Sequence, residues 1–110
     1  MPIPDYQTLM RPVLGMALAK EIPAKEIVTQ VADLYELTDE ERQERIPSGA
    51  ATLLANRVHW AITYMVQADL MKRPRRAIVI ATDRGRNVYQ NHSDRIDNAV
   101  LSQFDEFIAF

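Results

Sequence analysis

With 110 residues, 47% of them apolar, the chain has material for one hydrophobic core and no room for two independent domains. It contains no cysteine, which excludes disulfides and thiolate metal sites and agrees with a reducing, cytoplasmic setting; charged residues such as Arg11, Lys20, Asp33 and Arg57 keep every apolar stretch short of the roughly 20 residues of a membrane span, and no signal-like segment opens the chain. The net charge of −2 is uneven: residues 1–46 hold five basic and nine acidic side chains, residues 47–92 seven and two, and residues 93–110 one and four, so a basic stretch lies within an acidic chain.

Tyr6, Leu9, Met10, Val13, Leu14 and Ala17 recur at helical spacing behind Asp5, a good N-cap, and predict a first helix over residues 5–19. Pro12 removes a backbone donor inside it, so a kink there or a later start is expected. The stripe Ile27, Val28, Val31, Ala32 and Tyr35 predicts a second helix from about Pro23 to Tyr35. Thr38 with Glu41 has the spacing of a capping box and opens a short polar helix reaching about Arg45, ended by Pro47, Ser48 and Gly49.

The longest periodic segment, about residues 51–70, places Leu54, Val58, Ala61, Met65 and Ala68 on one face, which should be core. Thr52, Asn56, His59, Thr63 and Gln67 lie opposite, with Arg57, Trp60 and Tyr64 towards the edges. Residues 71–76 read as a basic turn centred on Pro74, and Ala77–Ala81 as a strand, together a hairpin. Thr82 and Asp83 start a last short helix to about Tyr89, residues 91–94 read as a linker, and residues 95–110, with Phe104, Phe107 and Phe110 among acidic groups, as a partly helical docking tail. The order is that of a mainly helical winged helix-turn-helix with a small β-hairpin, in which the long helix offers its outer face to the major groove and the wing reaches nearby backbone.

Several blocks in order resemble the N-terminal domain of Mrr-type restriction endonucleases. They are Ile3–Met10, Leu37-Thr38 with Glu40-Glu41-Arg42, Pro47-Ser48-Gly49, Asn56-Arg57-Val58 with Trp60-Ala61, and Arg73-Pro74-Arg75-Arg76 with Thr82, Gly85 and Arg86. The likeness covers roughly residues 1–90, and Arg95–Asn98 with Leu101, Phe104 and Phe107 is similar to the segment leading into that family's nuclease domain, whose catalytic residues are not expected within these 110 residues. The resemblance implies a module that recognises modified, typically methylated, DNA for a metal-dependent nuclease. It also implies glycine at three positions where this chain has His59, Asp69 and Ala77: one on the recognition helix and two in turns.

The expected DNA contacts follow from residue chemistry. Lys72, Arg73, Arg75 and Arg76 suit phosphate, since guanidinium groups bind it bidentately. Asn56 and Thr63 have side chains able to read base edges, and His59 is added where the family has glycine. Arg57 lies nearer the core side and is expected either to snorkel to a phosphate or to bridge to an acid of the second helix, while Trp60 reads as packing and the phenylalanines as a docking surface. No cofactor and no catalytic residue is expected: His59 and His92 are far apart, and the glycines are isolated. Double-stranded DNA is the expected partner, with a nuclease domain or another protein at the tail; dimerisation stays open. The competing reading is a winged-helix interaction module without DNA binding.

Overall fold

The structure, a computed structural model, describes residues 3–110, so the first two residues of the domain expected over residues 1–90 lie outside it. Helix α1 (Tyr6–Met16) begins where Asp5 accepts a hydrogen bond from the Thr8 N–H at 2.9 Å, which also holds the Asp5 carboxyl below its ordinary pKa. Leu9, Met10, Val13 and Leu14 form its buried stripe. The helix runs through Pro12 instead of starting after it, lacking one interior ladder bond because proline has no N–H, and it ends at Met16, short of the expected residue 19.

A two-residue strand, β1 (Ile22–Pro23), was not expected. Pro23 is therefore the extended residue that caps α2 (Ala24–Leu34), not its first helical residue. Helix α3 (Asp39–Gln43) has the full capping box: Thr38 Oγ1 accepts from the Glu41 N–H at 3.1 Å and the Glu41 carboxylate from the Thr38 N–H at 2.8 Å. The long helix α4 (Leu53–Gln67) starts at Thr52, whose hydroxyl accepts from the Ala55 N–H at 3.1 Å. It buries Leu54, Val58, Ala61, Ile62 and Met65 against α1 and α2, with each large side chain contributing about 1.5–3 kcal/mol.

The expected hairpin is present, but its first half is strand where a turn was read. β2 (Met71–Arg75) pairs antiparallel with β3 (Ile78–Ala81), and β1 adds to the other side of β3 to give a three-stranded sheet in the order β1-β3-β2. Lys72 faces Ile80 and Arg75 faces Ile78, so Arg73 and Pro74 together oppose Val79 in a bulge. A proline is tolerated there because β2 is an edge strand. Helix α5 (Asp83–Asn91) follows a Thr82 cap, and the tail forms two single-turn helices, α6 (Asn98–Leu101) and α7 (Asp105–Ile108).

That tail docks on the chain's own body. Ile96 and Leu101 are fully buried in the common core, and Asn98 donates from its N–H to Gln7 Oε1 at 3.0 Å and from Nδ2 to the Tyr6 hydroxyl at 2.8 Å. Phe107 and Phe110 meet Tyr64 of α4 edge-on, and Arg84 lies over the Phe104 ring while pairing with Glu106.

Asp69 and Ala77, the two turn positions where the family resemblance implied glycine, both have left-handed backbone, with φ of 61° and 62°. A Cβ in that region costs roughly 1–2 kcal/mol, partly offset by the greater freedom glycine brings to the unfolded chain. Ala77→Gly is therefore expected to stabilise the fold by about 0.5 kcal/mol or more, raising the urea midpoint at unchanged slope. A lowered midpoint would show that the Ala77 methyl contributes packing beyond its backbone cost.

Candidate nucleic-acid interface

Helix α4 presents Asn56, His59, Thr63 and Gln67 on the side away from the core, and its sequence LLANRVHWAITYMVQ contains no carboxylate. A phosphate backbone approaching that face meets no fixed negative charge from the helix itself. Asn56 and Thr63 are half-buried and His59 is exposed. The His59 ring packs edge-on against Trp60, which is 43% exposed and so forms part of the surface in addition to its ring contacts with His59 and Tyr64.

The β2–β3 hairpin, the wing of the expected fold, stands beside this face and is tied to it through Arg73. Arg73 Nη2 donates to Thr63 Oγ1 at 3.2 Å, a neutral partner that leaves the guanidinium charge uncompensated. Arg75, by contrast, pairs with Glu21, the residue before β1. Lys72 and Arg76 are exposed and make no ion pair among the described residues.

The seven basic side chains of residues 47–92 thus separate by partner. Arg75, Arg84 and Arg86 face Glu21, Glu106 and Asp83. Arg57 makes no ion pair with an acid of α2 among the described residues: it is half-buried and donates from Nη1 to the main-chain carbonyls of Ile3 and Pro4, pinning the segment before α1 to α4. Main-chain carbonyls accept from Nη1 where an acidic side chain was one expected partner. Lys72, Arg73 and Arg76, all on the β2–β3 hairpin, make no ion pair among the described residues, and Arg57 keeps its charge against neutral carbonyls.

Lys25 joins them from the first turn of α2, lining the groove that α2, α4 and the wing enclose together with His59, Thr63 and Arg73. No motif in the sequence singles out Lys25. The available signal was its position just after Pro23, but only the pairing of β1 with β3, which brings the Ala24 N–H to the Ala77 carbonyl at 2.9 Å, sets it beside the wing.

The model of the Mrr N-terminal domain matches residues 6–91. The chain belongs to the Mrr N-terminal domain family. Membership associates it with Mrr-type restriction systems, through the N-terminal domain and not the nuclease domain. The Mrr match runs from the start of α1 to the end of α5, so the sheet, α4 and the wing all lie inside it and the docked tail lies beyond. No curated protein and no solved structure matches the chain. Among the described residues, no group of three or more His, Cys, Asp or Glu side chains could hold a metal ion, and no helix is long and apolar enough to cross a membrane.

Proposed function

We propose that this Mrr N-terminal domain is a winged helix-turn-helix that binds double-stranded DNA, with the outer face of α4 in the major groove and the β2–β3 wing on the adjoining backbone. It serves as the recognition module of a restriction system directed at modified DNA, methylated bases being the modification the family resemblance suggests, while cleavage comes from a separate nuclease domain in the cytoplasm. The observation that supports this reading is that Lys72, Arg73 and Arg76 make no ion pair among the described residues and that Arg73 stands against an α4 face free of acidic residues. Phosphate contacts of this kind supply affinity and position, and base contacts supply discrimination.

Roles divide accordingly. Arg73→Ala combined with Arg76→Ala is expected to weaken binding to all duplexes alike and to lower the salt dependence by about 0.9 for each phosphate no longer neutralised. Asn56→Ala is expected to cost about 1–3 kcal/mol on the preferred duplex and little elsewhere. Thr63→Ala should show both effects, because its hydroxyl also holds Arg73. Fluorescence anisotropy with labelled duplexes over a salt series separates these outcomes.

A second reading is favoured by a different observation: Trp60, Ile108 and Phe110 are 43%, 66% and 59% exposed, an apolar surface suited to a protein partner. If the wing double variant binds every duplex as tightly as the parent at low salt, the interaction-module reading replaces the DNA-binding one.

A further inference from the structure

A groove of about 880 Å³ opens between α2, α4 and the wing. Its floor is the outer surface of the core, with Val58 and Val79 each only 1% exposed, and Val28 and Ile62 continue it. The rim carries Lys25, His59, Thr63 and Arg73, and no carboxylate lines it. Sites for small organic molecules have this makeup: roughly 300–1,000 Å³, apolar walls, and a few convergent polar groups that fix orientation.

We infer that the groove binds a small organic anion with an apolar body, of the aromatic carboxylate class. The ring lies on Val28, Val58 and Ile62, and the carboxylate sits at the rim between the Lys25 ammonium and the Arg73 guanidinium. Charge complementarity selects the anion: both fixed charges at the rim are positive, and no acidic residue of the lining opposes a negative group. An apolar cation would meet the same two charges as repulsion.

The site has a consequence that rests on the DNA-binding reading above. Thr63, His59 and Arg73 belong both to the groove and to the face assigned to the duplex, so a ligand seated there competes with DNA. Occupancy would then release the module from DNA, a form of small-molecule control.

The test uses the full chain, with 1-naphthoate as probe and neutral 1-naphthalenemethanol as its control at matched ionic strength, followed by two-dimensional NMR. The expected shifts concentrate on Val28, His59, Ile62 and Val79, with naphthoate binding about tenfold more tightly than the alcohol. Lys25→Ala with Arg73→Ala, both exposed positions, should abolish that tenfold preference while the alcohol still binds. Ala55→Phe, which narrows the groove, should weaken both probes. Equal affinity for the two probes, or shifts confined to another surface, would overturn the assignment. If duplex binds and naphthoate does not, the groove inference fails and the DNA-binding reading stands. If naphthoate fills the groove without displacing bound duplex, the competition is wrong.

Discussion

Gly85→Ala is expected to destabilise the fold by about 3 kcal/mol or more, the upper range of overpacking effects. An added Cβ would lie 2.0 Å from the Leu70 carbonyl oxygen and 3.3 Å from a Leu14 methyl. The first neighbour is backbone, so no side chain can swing aside. Moving α5 away is costly too, since the same Leu70 carbonyl accepts from the Thr82 N–H at 3.0 Å, and the Thr82 hydroxyl both donates to the Asp69 carbonyl at 2.6 Å and caps the Gly85 N–H at 3.0 Å. At roughly 4–8 °C per kcal/mol for a domain near this size, the melting temperature should fall by about 10 °C or more. A fall of less than about 3 °C would show that α5 has room to shift.

Leu101→Ala is expected to cost about 2–5 kcal/mol, the range for a fully buried leucine whose cavity collapses only partly. In a mere linker the same change would stay within about 0.5 kcal/mol. Leu101 and Ile96 are both fully buried beneath a segment held by the Asn98 hydrogen bonds to Gln7 and Tyr6 and by the Arg84–Glu106 pair. Urea unfolding monitored by circular dichroism should show a lowered midpoint with an unchanged slope. A midpoint equal to the parent's would make the tail an appendage whose contacts add nothing to stability.

What the sequence made legible was local. The caps at Asp5, Thr38 and Thr82 and the apolar stripes of α1, α2 and α4 depend on residues within a few positions of one another, and periodicity reads them directly, whereas the Thr52 cap was not read. β1 was missed because two residues carry no alternating pattern, and its pairing with β3 is set by tertiary contact alone. The bulge at Arg73-Pro74 was read as a turn for a related reason: proline signals both, and only the register against Val79 separates them.

The candidate site was legible as a list of cations but not as a charge balance. Arg75 faces Glu21, 54 positions away, and Arg57 is held by Ile3 and Pro4, so neither is as available as its spacing in the sequence suggested. Lys25, which no sequence motif marks, stands at the rim of the groove. The glycine replacements at Asp69 and Ala77, implied by resemblance alone, coincide with left-handed backbone, so the fold retains the demand that glycine would meet at lower cost.

The most direct measurement is binding of the unmodified chain to matched methylated and unmethylated duplexes between about 50 and 200 mM salt. With Lys25, Lys72, Arg73 and Arg76 neutralising three or four phosphates, the account predicts that log affinity falls against log salt with a slope of about −3, the methylated duplex being bound more tightly at every point. Binding to neither duplex at about 50 mM salt, or an affinity independent of salt, would contradict it.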